Sequence, residues 1–388
     1  MPAVIVFSHL PWNFSNGRPQ QLLTRLAKDY RIVFVEEPVC CEDENGFRTY
    51  SPAPNVEVYQ PHTPIDPGGC GGSRMSHLRG MVRQLAADHA DHIAWFYTPA
   101  ALPLLQELRP RLVVYDCVSE LAASEHAWPR LPQWEQAMLE AADIVLTDGP
   151  SLYRTKRERH RNAHCVPSGV DAAHFAPALD RSNSHAAHRR IPGPRLGFCG
   201  VIDRRFDAGL VAHVADAHPQ WQIVLVTSTV SSDAAPLPTR DNIHYLGQQS
   251  HAALPYFLAG WDVCLLPLVV DDSTRFINPA ETLAYMAAEL PVVSTPLADV
   301  TELYGEAVCI AADGPAFVAA CEAALLASPQ ERSEKVAKMR RLVASASWQA
   351  AAEKIRALIE TAFFMEANAA TGTPSQVPAD AGIGPLRA

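Results

Sequence analysis

Short apolar runs of strand length recur along this 388-residue chain, and they constrain its fold more than any other feature. In the first half they lie at 3–7, 31–35, 55–59, 92–96, 111–115, 143–146 and 164–166. Runs bounded by turn residues and alternating with helical patterns read as buried strands of a parallel sheet. From 178 to 194 the sequence ALDRSNSHAAHRRIPGP is polar, contains Pro and lacks a periodic apolar face, so it reads as a linker. The rhythm then restarts at 195–199, 222–226, 243–246, 262–266, 291–294 and 307–310, with helices fitting at 206–217 and 279–288. The expected class is α/β, with two doubly wound, Rossmann-like parallel-sheet domains facing an interdomain cleft. Ligands then bind at the carboxyl ends of the strands. The expected boundaries are a first domain at 1–177, a linker at 178–194 and a second domain at 195–347. One long amphipathic helix is expected at 348–366, followed at 367–388 by a disordered tail rich in Ala, Gly and Pro.

Composition narrows the function classes. Hydrophobic residues make up 48% and charged residues 19%, enough to bury a sizeable core. The net charge of −10 argues against a phosphate-backbone partner, so nucleic acid is not expected. Nine Cys show no CxxC or Cys/His zinc spacing and read as small buried hydrophobes in a reducing cytosol; no metal site is expected. The start MPAVIVFSHLPW is not a signal peptide, and no apolar stretch approaches the roughly 18 residues of a membrane span. The expected location is cytoplasmic. Residues 74–89 place Met75, Leu78, Met81, Val82 and Leu85 at helical spacing with Arg79 and Arg83 between them. Such a helix allows peripheral contact with the inner face of a membrane, although an ordinary core helix is the better reading.

Four stretches have residues suited to ligand chemistry. LGFCGVID at 196–203 is a strand entering a small-residue turn, where Gly200 lets backbone approach a ligand and a helix N-terminus offers N–H groups to an anion. Arg204 and Arg205 follow it; a plain strand–helix turn is the bland alternative. STRFINPAETLAYMAA at 273–288 reads as a helix start with Asn278 as N-cap, Pro279 first and Glu281 third, with Arg275 just before. Arginine beside a positive helix end suits a diphosphate, against the alternative of a surface Arg and an ordinary cap. YDCVSE at 115–120 carries Asp116 and Glu120 from a strand's carboxyl end, where they suit sugar hydroxyls or base catalysis; a capping Asp is the alternative. In SHLPWNFSNGRPQ, residues His9, Trp12, Arg18 and Gln20 suit an acceptor wall or a solvated loop.

Together these stretches resemble one family. HLPWNFSNGRPQQLLTRLA, VVYDCVSEL, VPSGVDAAHF, LGFCGVIDRR, NIHYLGQQSHAALPYFLAGWDVCLLPL and INPAETLAYMAAELPVVSTP are similar to GT-B glycosyltransferases of the retaining family-4 kind. Within that kind they resemble bacterial cell-surface polysaccharide enzymes of the teichuronic-acid type. The resemblance implies a nucleotide-sugar donor (UDP-, GDP- or dTDP-linked) on the second domain and a carbohydrate or lipid-linked acceptor on the first, without metal or cofactor. Carried over, Gly200 lies in the donor-facing turn, Gly247 and Gln248 pass the nucleobase, and Arg275 with Asn278, Pro279, Glu281 and Thr282 meets the diphosphate. Arg204 joins that donor set, Asp116 and Glu120 are the catalytic candidates, and His9, Trp12, Arg18 and Gln20 face the acceptor.

The chain departs from this family in one helix. Relatives carry PxKTLEYMAAGKP where this sequence has PAETLAYMAAELP. Ala284 replaces a Glu that grips the ribose diol, a contact worth about 1.5–3 kcal/mol. Glu281 replaces a Lys that attracts phosphate, and Glu289–Leu290 replaces Gly-Lys. The leading expectation remains a glycosyltransferase. The alternative is a non-catalytic GT-B protein with a decayed donor site that binds a glycan or a partner enzyme. A sugar-nucleotide epimerase shares the architecture, and the missing GxGxxG argues against a nicotinamide dehydrogenase.

Overall fold

The computed structural model describes residues 1–14, 16–41, 46–63, 72–89, 91–118, 120, 130–230 and 235–371. The first half supplies β1 (Ala3–Phe7), β2 (Arg31–Val35), β3 (Val39–Cys40), β4 (Gly46–Ala53), β5 (Val56–Thr63), β6 (His92–Phe96), β7 (Leu112–Cys117), β8 (Ile144–Thr147) and β9 (Ala163–Cys165). Its sheet runs β3-β5-β2-β1-β6-β7-β8-β9, with β4 added against β5. The second half supplies β10 (Arg195–Ile202), β11 (Gln222–Val230), β12 (Ile243–Tyr245), β13 (Val263–Leu266), β14 (Val292–Ser294) and β15 (Cys309–Ile310), in the order β12-β11-β10-β13-β14-β15. The second order is that of a dinucleotide-binding sheet, and the core of the first repeats it. β1, β6 and β13 are buried along their whole length, as strands covered on both faces must be.

The first sheet is mixed rather than wholly parallel. β4 pairs antiparallel with β5, from Gly46 opposite His62 to Ala53 opposite Val56. Its sequence GFRTYSPA is largely exposed and shows no apolar run, which is why periodicity missed it.

Helices cover both sheets. They are α1 (Arg18–Leu26), α2 (Gly72–Asp88), α3 (Leu105–Leu108), α4 (Leu131–Ala141), α5 (Pro150–Arg157) and α6 (Ala172–Phe175) in the first half. The second half has α7 (Ala208–Ala217), α8 (Leu254–Leu258), α9 (Ala280–Ala287), α10 (Ala298–Tyr304), α11 (Gly314–Leu326), α12 (Pro329–Ser345) and α13 (Trp348–Thr371). Leu78, Val82 and Leu85 of α2 are buried with Ile5 and Val33 of the first sheet, while Arg83 reaches Glu107 at 2.7 Å. That apolar face therefore packs on the core and is not available to lipid; the side chains of residues 72–76 lie outside the described set. No helix among the described residues is long and apolar enough to cross a membrane.

Stretch 178–194 is not an open linker. Short 3-10 turns at Ala176–Leu179, Arg181–Asn183 and Ala186–Arg190 carry it across the second sheet, and Ala178, His188 and Ile191 are buried. Burial, with Arg195 nearby, pushes the His188 imidazole down to about 4. Gly260 makes this possible: a Cβ there would collide with His188 Nδ1. At the other end, α13 returns to the first sheet. Its Trp348, Ala351, Ala352, Ile355 and Ile359 join Leu22, Leu26 and Tyr30 in one core. The helix runs on to Thr371, past the expected end at 366, and residues 372–388 lie outside the described set.

Candidate functional site

Each sheet reverses its strand order beside its first strand, so a crevice opens at the carboxyl ends of β1 and β10. There the loop after β1 carries Trp12, Asn13, Phe14, Asn16 and Gly17, and β10 ends through Gly200 and Val201, its last residues before Ile202. These segments line one cleft of about 1040 Å³. Trp12, Asn13, Phe14, Arg18, Gln20, Pro52 and Ser168–Asp171 come from the first half; Gln248–His251, Ala280, Glu281 and Ala284 come from the second. A separate cavity of about 960 Å³, lined by Gly193–Arg195 and Pro291, sits where β10 and β14 begin. That is the amino end of a parallel sheet, away from the crevice.

Arg18 is the electrostatic centre of the first half. It is 6% exposed, and Nε and Nη2 donate to Asp116 at 2.9–3.2 Å. Nη1 donates to Asp148 at 3.3 Å and to the Val166 carbonyl at 2.7 Å. Burial alone pulls a guanidinium's pKa down, but Asp116 and Asp148 carry it up, so Arg18 stays charged. Asp116, placed by sequence among catalytic groups, is fully buried beneath this guanidinium. Glu120 accepts from the fully buried Lys156 at 2.8 Å, and Lys156 also donates to Glu135 at 2.7 Å. Neither carboxylate lines the cleft. Both hold the scaffold behind it.

Asp148 joins this cluster to the second half. Its Oδ1 accepts from Ser168 N, and its carbonyl accepts from Asn278 Nδ2 at 3.1 Å. Burial pushes its carboxyl up to about 6, against the pull of Arg18 and Ser168. A raised acid pKa means that the folded chain binds this proton more tightly than the unfolded chain. Stability from this group is therefore full below about pH 4 and is lost as pH rises to about 6. Denaturation across that window should show the falling slope, and Asp148→Asn should remove it; an unchanged slope would take Asp148 out of the account. Nearby, Ser151 N donates to Asp299 Oδ1 at 2.9 Å and Arg154 pairs with Glu302 at 2.9 Å. Gly149 leaves room for Asp299, whose Oδ2 would overlap a Cβ at that position.

On the donor side, Gly200 has φ +155°. A Cβ there would meet Phe198 Cζ at 2.9 Å and Glu281 Oε1 at 3.3 Å, so a side chain would block the close approach between this turn and α9. The N-cap of α9 is Pro279, not Asn278, because Asn278 turns its amide to Asp148 instead of the helix. Glu281 thus occupies the second helical position. Its carboxyl is pushed up by burial, with Arg205 opposing. Arg205 chelates Asp203 through Nε at 2.9–3.0 Å, and Nη2 also reaches that carboxylate.

The remaining candidates divide by position. Gln20 lines the cleft and donates to the Trp12 carbonyl at 2.5 Å, and Trp12 packs edge-on against Phe34. Gln248 is exposed and lines the cleft; its neighbour Gly247 is exposed with φ +68°. His9 is half-buried outside the cleft, and burial lowers its pKa. Thr282 is fully buried and Arg204 is half-buried; hydrogen bonds from Ser273 hold the Asp271 carboxyl low, with a smaller pull from Arg204. Arg275 is exposed, its guanidinium 5.2 Å from the Phe276 ring centroid and outside the cleft lining. Sequence reading passed over Asp171, which caps α6 in the VPSGVD turn, and His251, which stacks on His174 at 4.0 Å. The capping pattern of Asp171 was legible; the stack pairs residues far apart in sequence and was not.

Comparisons with known proteins agree with this architecture. Residues 194–328 match the family model described as glycosyl transferases group 1. The chain is 24% identical over 283 residues to a Bacillus subtilis (strain 168) protein assigned as the teichuronic acid biosynthesis glycosyltransferase TuaH, covering 67% of this chain and 69% of that protein. It superposes on sucrose-phosphate synthase from Thermosynechococcus elongatus with TM-score 0.75 and 17% identity, covering 94% of this chain and all of that one. With HepE of Anabaena, solved in complex with UDP and glucose, the TM-score is 0.66 at 13% identity, covering 93% of this chain and 100% of the other. The chain has the GT-B fold of glycosyltransferases, and its second half carries a group 1 glycosyl transferase domain.

Proposed function

We propose that this chain transfers a sugar from a nucleotide diphosphate donor, held by the second half, to a carbohydrate acceptor held by the first. The observation that carries this reading is the single cleft lined at once by Trp12, Arg18, Gln20, Gly200, Gln248 and Glu281. Its volume suits a nucleotide sugar with part of an acceptor. The HepE structure with UDP and glucose supports a UDP-linked donor, and the likeness to TuaH supports a cell-surface polysaccharide acceptor. Retention of anomeric configuration follows from the family-4 resemblance.

The residues divide the work as follows. Gly200 lets the diphosphate approach the backbone, and the positive end of α9 lies beside it, although Thr282 N already donates to the Pro279 carbonyl and the Glu281 N–H to its own carboxylate. The nucleobase lies along the turn at 246–248. Arg205 lies outside the cleft lining, but its charge is felt by Glu281 in the cleft, and on leaving Asp203 its guanidinium would meet the departing diphosphate. Asp116 acts through Arg18, whose bond to the Val166 carbonyl fixes the turn that leads to Asp171.

Calorimetric titration with UDP, GDP and dTDP should show saturable binding of at least one. Arg205→Ala should weaken that nucleotide by about 1.5–3 kcal/mol, and Arg275→Ala should change it by less than about 0.5 kcal/mol. Binding of none of the three would overturn the donor assignment; the reverse ranking of the two arginines would return the diphosphate to Arg275.

A further inference from the structure

The first-half lip of the cleft contains an aromatic platform that sequence did not reveal. Phe14 lines the cleft with 57% of its surface exposed, so its ring face is open to a ligand there. Its turn is fastened from below. Glu36, 5% exposed at the end of β2, accepts from Trp12 N at 2.8 Å, from Gln60 Nε2 at 2.9 Å and from the Tyr50 hydroxyl at 3.3 Å. Asn13 Nδ2 donates to the same hydroxyl at 3.2 Å. Tyr50 lies on β4 with 38% of its surface exposed, and Pro52 and Ala53 carry that strand to the cleft edge. One buried carboxylate thus joins the first loop to β4 and fixes the platform.

The charge around this lip is specific. Arg18 is the one arginine or lysine among the described cleft-lining residues, and its Nε, Nη1 and Nη2 already donate to Asp116, Asp148 and Val166. Arg25, further along α1, bonds Gln21 at 2.7 Å. Arg48 lies two residues back from Tyr50 on the same face of β4, about 7 Å along the strand and outside the cleft lining. Among the described cleft-lining residues there is no lysine and no arginine besides Arg18, so the side chains of this lip supply no further cation for a phosphoryl group. An aromatic face beside amide and hydroxyl groups suits the C–H face and hydroxyls of an uncharged sugar ring.

We propose that Phe14 and Asn13, braced from outside the cleft lining by the Tyr50 hydroxyl, form the acceptor subsite, and that it takes the uncharged terminus of a glycan, stacked on Phe14, rather than a sugar phosphate. This acceptor class rests on the transferase function proposed above. The test uses the full chain, saturated with whichever of UDP, GDP or dTDP binds. It is applied to an array of neutral oligosaccharides and their 6-phosphate counterparts. Neutral members should bind, and Phe14→Ala should weaken them at least tenfold, with thermal midpoint unchanged and nucleotide affinity within twofold. Tyr50→Phe, which keeps the ring, should cost less than Phe14→Ala. Binding confined to phosphorylated members, equal glycan affinity in wild type and Phe14→Ala, or no glycan bound at all would overturn the subsite. If nucleotide binds and donor is hydrolysed while Phe14→Ala leaves glycan binding untouched, the lip fails and the transferase function stands. If no nucleotide binds, the transferase function fails whatever the glycans do.

Discussion

Arg18→Ala should destabilise the first half by about 3–5 kcal/mol, among the largest effects of any single substitution in this chain. The cause is not loss of attraction alone. Asp116 has no exposure, and removing the guanidinium leaves its carboxylate buried without a countercharge. Asp148 would lose its positive neighbour too, and the Val166 carbonyl its donor. Replacing both members of the pair, with Arg18→Met and Asp116→Leu together, should cost less than Arg18→Ala, because the fully buried Asp116 charge leaves with its partner and only Asp148 is left without its cation. Urea denaturation followed by tryptophan fluorescence, with Trp12 and Trp95 buried in the first half, measures both. A loss below about 1 kcal/mol for Arg18→Ala would show that water reaches the cluster and that it behaves as a surface pair.

The combined substitutions Glu281→Lys and Ala284→Glu should tighten nucleotide-sugar binding about tenfold or more. Both positions line the cleft and lie one helical turn apart on α9. At the second helical position a negative charge opposes an anion drawn to the positive helix end, and a lysine there joins the attraction. The carboxylate introduced by Ala284→Glu would offer a charged hydrogen bond to the ribose diol. The sign of the pH dependence follows from Glu281 itself. Burial raises its pKa, and the protonated form does not repel phosphate. Wild-type affinity should therefore fall as pH rises through that pKa, and Glu281→Gln should flatten the profile. If the double variant binds no tighter and turns over donor more slowly, Glu281 is a donor contact in its own right, and the helix is adapted rather than weakened.

Much of the fold was legible because it is built on buried parallel strands, whose apolar runs survive in sequence. β1, β2 and β6 fall where the runs lie. β4 was hidden because its stability comes from backbone pairing with β5 and not from burial of alternate side chains. The packed turns of 176–190 were hidden because polar residues there find partners far away: Arg181 pairs with Asp262 at 2.7 Å, and His185 stacks on Phe257 at 4.1 Å. At the site, glycines and helix starts were readable as local geometry, so Gly200 and the approach to α9 stand in the cleft. Charge pairing was not readable. Asp116 sits at the strand end where a catalytic carboxylate is expected, but Arg18, 98 residues earlier, turns it inward. Arg275 has the right sequence neighbours and lies instead against Phe276.

The most direct measurement is a transfer assay that separates donor hydrolysis from glycan extension, run with UDP-, GDP- and dTDP-linked sugars on neutral oligosaccharides. The cleft predicts that at least one donor is consumed, that its sugar appears on a neutral acceptor, and that Arg205→Ala suppresses both. Nucleotide binding without hydrolysis or transfer from any donor would contradict the account, and would make this chain a GT-B protein that binds a nucleotide and performs no chemistry on it.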